Sequence, residues 1–219
     1  MRIAILRATL LISTLLLAGC GNEAAKTSAD SGAAKSENLI KPTDMIDGDP
    51  NAPVTLIEYA STTCPHCAVF AEQIIPEVKE KYIDTGKVKL VFRAFPTPPV
   101  TYALIGSVLA RCAAEKSGPD AYFLVTNALF RTQHQWIGEN AKPELAKIVA
   151  QAGMDETELD ACLQRKDFID LINENAKEAT EKYDVQGTPA FILNGKKMEY
   201  KSKEDFEKLI EDAIAAAGA

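Results

Sequence analysis

Val54-Thr55-Leu56-Ile57-Glu58-Tyr59-Ala60-Ser61-Thr62-Thr63-Cys64-Pro65-His66-Cys67 is the stretch that decides the fold class. Its first seven residues are largely β-branched or apolar and follow the turn-forming Asp49-Pro50-Asn51-Ala52-Pro53, so they read as a buried strand. Two cysteines separated by two residues come next, with Pro65 well suited to the first position of a helix. Phe70, Ile74, Val78 and Tyr82 then recur every four residues and mark one face of that helix. Pro76 lies inside it and removes a backbone donor, which predicts a kink. Gly86 closes the segment, and 88–95 reads as a second strand, completing a βαβ unit.

Beyond this unit, 96–178 carries only helical patterns. Leu104, Val108 and Arg111-Cys112 continue one face, 122–130 forms another, and 145–149 and 159–163 follow, separated by Gly138, Pro143 and Gly153. A further helix with Phe168, Leu171, Ile172, Ala176, Ala179 and Tyr183 on one side runs to Asp184. After Gln186-Gly187-Thr188-Pro189, the stretches 190–193 and 196–200 flank Asn194-Gly195, the pair most suited to a type I′ hairpin. Ser202-Lys203-Glu204-Asp205 resembles a capping box opening a last helix. The order βαβ, helices, ββα makes the chain α/β.

The amino terminus reads as an export signal. Arg2 and Arg7 precede a short apolar run ending in small residues, too short for a permanent span of about 20 residues. Leu17-Ala18-Gly19-Cys20 resembles the lipobox of bacterial lipoproteins, which would make Cys20 a lipid-anchoring residue, and 20–45 is polar and small enough for a flexible tether. Gly21 lacks the aspartate associated with inner-membrane retention, which points to the outer membrane. Loss of 1–19 removes two arginines and takes the formal charge from −7 to −9, an acidic balance that argues against nucleic-acid partners. A membrane partner through the anchor follows from the same reading.

In an exported chain the remaining cysteines, Cys64, Cys67, Cys112 and Cys162, meet an oxidising compartment. Three pairings are possible on paper. A Cys64–Cys67 bridge would close only a tiny loop and stabilise little, so its use is chemistry. Cys64 falls at a helix N-terminus, where free N–H groups and the dipole favour a thiolate, and His66 adds a donor or cation in the same turn. Cys64 is then expected to be the exposed nucleophile of lowered pKa and Cys67 the deeper partner. A stable thiolate favours the dithiol and makes an oxidant. Zinc would need four ligands, and Cys112 and Cys162 stand without a second close-spaced pair; copper held by soft thiolates and His66 is the alternative from another class. Cys112 and Cys162 each follow a leucine three residues earlier and read either as buried thiols or as a structural disulfide.

The tetrapeptide Cys64-Pro65-His66-Cys67, the helical stretch after it, and Val185-Gln186-Gly187-Thr188-Pro189-Ala190-Phe191 together resemble the DsbA family of thiol–disulfide oxidoreductases over about 46–219. Among its members the chain is most similar to the alphaproteobacterial type, which often carries a second cysteine pair in the helical region. The resemblance implies a thioredoxin fold at 46–96 and 179–219 with an all-helical insertion at 97–178. It implies Pro189 in the cis form beside the redox pair and Thr188 offering its backbone to substrate. It also implies Glu58 as a buried carboxylate serving proton transfer at the inner cysteine. The activity implied is oxidation of thiols in exported proteins, in the periplasm, by a monomer without cofactor that a quinone-linked membrane oxidoreductase reoxidises. Thr188 departs from the valine common in strong oxidases, which keeps an isomerase or reductase open. His134 and Trp136 are expected to pack at a helix end, and Phe95-Pro96-Thr97-Pro98-Pro99 to form a rigid connector.

Overall fold

The computed structural model describes residues 39–219. The expected signal, most of the tether and Cys20 lie outside the described residues. One sheet holds five strands in the order β1-β3-β2-β4-β5, namely β1 Met45–Asp47, β2 Val54–Ala60, β3 Val88–Ala94, β4 Ala190–Leu193 and β5 Lys196–Lys197. β2 and β3 run parallel from the Val54–Val88 pair to the Ala60–Ala94 pair, and β4 lies antiparallel on the other side of β2. Every residue of β2 and β3 is buried, which is why both read as near-continuous apolar runs and not as alternating ones.

The crossover between β2 and β3 is helical but not one helix. α1 spans Pro65–Gln73, α2 spans Ile75–Val78, and a π-helical turn covers Lys79–Ile83. The break expected at Pro76 falls just before it, at Ile74, because Pro76 has no N–H with which to continue the ladder from α1. Phe70, Val78 and Tyr82 nonetheless share a buried cluster with Val54, Leu56 and Phe206.

Six helices follow in the insertion: α3 Val100–Ser117, α4 Pro119–Arg131, α5 Gln133–Trp136, α6 Ala141–Ala150, α7 Glu156–Cys162 and α8 Lys166–Tyr183. Pro143, expected to separate helices, sits in the first turn of α6, where a missing N–H has no intrahelical partner to lose. α8 runs unbroken through 178/179. Its Phe168 and Ile172 join the core of the insertion, while Ala179 and Tyr183 pack with Tyr59, Val91 and Ile192 on the sheet.

The chain joins the sheet earlier than its composition suggests. Arg93 is fully buried and donates to Asp44 through Nε (2.9 Å) and Nη2 (2.7 Å), to the Leu39 carbonyl at 2.6 Å and to the Tyr59 hydroxyl at 3.1 Å. Arg111 donates to the Thr43 carbonyl at 2.6 Å, and β1 then pairs antiparallel with β3, Met45 opposite Phe92. Residues 39–45 are therefore held against the domain, and the tether expected to run to 45 ends before Leu39. Polar residues hid this, because the segment is fixed by charge and backbone, through the buried Asp44 carboxylate, and only Leu39 among its apolar side chains is buried.

At the far edge, Asn194 (φ 47°) and Gly195 (φ 84°) form the expected turn. β5 stops after two residues instead of reaching 200, and Tyr200 folds onto Phe191 and Phe206, with ring centroids 6.0 and 5.0 Å away. The last helix, α9 Lys203–Ala217, opens with half of the expected capping box. Ser202 Oγ accepts the Asp205 N–H, but the Asp205 carboxylate accepts from Lys201 N, not from Ser202. The reciprocal box is at α7, between Asp155 and Glu158.

Candidate active site

Strand β2 ends at Ala60, and the next four residues carry the chain to α1. Cys64 is the N-cap of that helix, with extended backbone (φ −80°, ψ 120°), and Pro65 occupies the first turn, where no donor is needed. The cap side chain is a thiol: Cys64 Sγ accepts the Cys67 N–H at 3.4 Å, as an N-cap oxygen commonly would. Cys64, expected to be exposed, is buried at 8% exposure and Cys67 at 0%, while Pro65 and His66 are exposed, so the pair meets solvent only on the side of Cys64 and His66. Both cysteines are in the thiol form.

The second wall is the loop before β4. The Thr188–Pro189 peptide is cis, and so is Pro98–Pro99 in the connector, where nothing in the sequence pointed to a cis bond. The Cys64 thiol donates to the Thr188 carbonyl at 3.3 Å. Thr188 Oγ1 is buried and lies on the Cys67 side, where it favours the thiolate of Cys67.

Glu58 sits in the middle of β2, on the same face of the sheet as Leu56 and Ala60, beneath α1. It is 3% exposed, its Oε1 has no hydrogen-bond partner, and burial raises its pKa to about 8. Cys67 is pushed above the ordinary thiol range first by burial; the Thr188 hydroxyl and Ser61 backbone oppose this and the Glu58 charge adds to it. Two buried acids of raised pKa thus lie within electrostatic reach of each other, one sulfur and one carboxyl. Glu58 also lines a cavity of about 350 Å³ between the sheet, α1 and α4, with Asp47, Lys79, Asp120, Thr126 and Asn127 among its walls.

The residues singled out in the sequence fall into two groups. Cys64, Pro65, His66, Cys67, Glu58, Thr188 and Pro189 converge on one site. Cys112 on α3 and Cys162 on α7 are joined by a disulfide inside the insertion, with Cα atoms 6.1 Å apart. Trp136 is fully buried and donates through Nε1 to the Leu129 carbonyl, the packing role expected, while His134 is exposed. Among the described residues no three His, Cys, Asp or Glu side chains are gathered as a metal site, and no helix is long and apolar enough to cross a membrane.

Sequence reading missed the groups that hold the 61–64 loop. Gln133 of α5 donates from Nε2 to the carbonyls of Thr62 (2.9 Å) and Cys64 (3.0 Å). Ser61 Oγ accepts from Thr97 N and donates to Thr63 Oγ1, which donates to the Thr97 carbonyl at 3.1 Å. Gln133 stands in the polar run Thr132-Gln133-His134-Gln135, and nothing in that run distinguishes it.

A family model described as thioredoxin matches residues 40–212. A putative protein-disulfide oxidoreductase of Rickettsia bellii is 32% identical over 80% of this chain, and the chain spans 66% of that protein's length. Disulfide bond formation protein D of Bacillus subtilis is 28% identical, covering 85% of this chain and 82% of that protein. The crystal structure of Wolbachia pipientis α-DsbA1 superposes with a TM-score of 0.73 at 31% identity, over 85% of this chain and 97% of that one.

Proposed function

Because the chain belongs to the DsbA family of thioredoxin-fold proteins, we propose that it is a thiol–disulfide oxidoreductase of the bacterial cell envelope whose working pair is Cys64–Cys67, acting as a dithiol oxidase on exported proteins. The observation that carries this reading is the depth difference within one helical turn: a cap thiol bonded to Thr188 and buried except for a narrow 8% exposure, and a fully sealed thiol beside an orphaned carboxyl.

In the forward reaction a client thiolate attacks Sγ of Cys64 in the Cys64–Cys67 disulfide. The S–S bond breaks, a client–Cys64 disulfide forms, and the electron pair leaves on Cys67. Glu58, still protonated at neutral pH with a pKa near 8, supplies the proton that converts the buried Cys67 thiolate to the thiol. A second client thiolate then attacks the client sulfur, the Cys64 thiolate leaves, and the client departs with a new disulfide while the pair remains reduced. The Thr188 backbone and Pro189 present the client strand, and His66 faces solvent at the mouth. Reoxidation would fall to a quinone-linked membrane protein, and anchoring to a diacylglyceryl group on Cys20.

The test is the reduction potential of the pair, equilibrated against glutathione in protein lacking residues 1–20 and followed by thiol trapping. A value well above the glutathione pool is expected. A value near that of thioredoxin would overturn the oxidase direction in favour of a reductase or isomerase, toward which Thr188 in place of valine already leans.

A further inference from the structure

The loop that presents Cys64 is attached to the helical insertion more than to its own sheet. All four residues of 61–64 are bonded to it: Ser61 to Thr97, Thr62 to Gln133 and at 3.4 Å to the Ala103 carbonyl, Thr63 to Thr97, and Cys64 to Gln133. α3 approaches so closely at Gly106 that a Cβ there would lie 2.6 Å from Thr62 Oγ1. Most of these contacts are ordinary loop anchors. Gln133 is different, because one of its two acceptors is the carbonyl of the cap residue itself.

That carbonyl already accepts the Ala68 N–H at 3.2 Å, the first bond of α1. A second donor at 3.0 Å fixes the plane of the Cys64–Pro65 peptide. It thereby fixes the direction in which Cys64 Sγ leaves the backbone toward the Cys67 N–H and the Thr188 carbonyl. The Gln133 amide also turns the positive end of its dipole toward Cys64, the residue that leaves as a thiolate when the mixed disulfide is resolved. Hydrogen bonds made by fixed dipoles to a site that gains charge strengthen as the charge forms.

Resting on the proposed role of the Cys64–Cys67 pair, we infer that Gln133 is a positioning residue of the redox centre, through which the insertion favours the dithiol form and raises the oxidising power of the pair. Its effect is transmitted through the Cys64 backbone, without contact to client or sulfur.

The test compares wild type with Q133M, which keeps the side-chain length but has no donor, and Q133E, which offers only acceptors. Each is equilibrated with glutathione, and the thermal midpoints of the oxidised and reduced forms are measured in parallel. Q133M is expected to shift the equilibrium about fivefold toward the disulfide, the ratio corresponding to roughly one net hydrogen bond, and Q133E further in the same direction. The reduced form is expected to lose more thermal stability than the oxidised form. Equal destabilisation of both forms with an unchanged equilibrium would overturn the inference and leave Gln133 a loop anchor only. Failure of the wild-type pair to exchange with glutathione would instead overturn the functional reading on which it rests. Gln133 is only half-buried, so both variants are expected to fold; should Q133M not, Q133E alone decides by its equilibrium.

Discussion

Cys64 and Cys67 differ in little except depth, and single-atom substitutions separate them. C67S leaves the accessible sulfur without its partner and is expected to accumulate client–Cys64 mixed disulfides, visible as adducts on non-reducing gels and by intact mass. C64S should form none, because the remaining sulfur is 0% exposed. Adducts on C64S at a rate comparable to C67S would contradict the assigned order. Glu58 makes a separate prediction. Its carboxyl titrates near 8 in the folded dithiol form against 4.5 ordinarily, because burial disfavours the charge. Between those values the folded chain keeps a proton that the unfolded chain releases. Stability therefore falls as pH rises through that window, levels off above it, and is unaffected below it. E58Q removes the dependence and is expected to gain up to about 3 kcal/mol at pH 7 and almost nothing at pH 4. Urea titrations at the two pH values measure this; an equal gain at both would assign it to something other than ionisation.

At the scale of elements, legibility followed length and pattern. β2, β3 and the crossover were readable because seven buried residues in a row and a four-residue recurrence leave few alternatives. β1 was not, since Met45-Ile46-Asp47 is too short to show a period and its place depends on β3 and on a buried arginine forty-nine residues from its aspartate. The convergence of Cys64, Glu58 and Thr188 was legible through family motifs. The bonds from α5 and the 97–99 connector to the redox loop were not, because they link main-chain carbonyls to ordinary polar side chains. Gly106 is a similar case: a glycine inside a predicted helix becomes meaningful only when α3 is seen to touch Thr62. G106A is expected to lose roughly 1–2 kcal/mol in thermal unfolding, the clash with Thr62 and Leu129 outweighing the better helix propensity of alanine. A gain in stability would show that the loop yields without cost.

For the molecule as a whole, the position of the amino-terminal boundary matters most. Cutting the chain at 46, where composition places the end of the tether, removes Asp44 and the Leu39 carbonyl and leaves Arg93 buried without either. Removing one partner of a buried ion pair costs about 3–5 kcal/mol, of which the Glu178 carboxylate, 3.5 Å from Arg93, and the Tyr59 hydroxyl offset a part. Protein beginning at 38 is therefore expected to exceed protein beginning at 46 by up to that amount in chemical denaturation, and equal stability would mean that Glu178, Tyr59 and water replace the lost partners freely. The same sheet carries a consequence at its margins. Its outer strands are three and two residues long, one edge ending in Asp47 paired with Lys79 and the other made of exposed Lys196 and Lys197. An incoming extended polypeptide finds almost no ladder to join there, and desolvating two lysines opposes the attempt. A protein whose proposed clients are unfolded chains is thus guarded against recruitment into their aggregates: whatever strand the proposed site at Thr188 receives, the sheet itself gives a misfolding neighbour little to grow from.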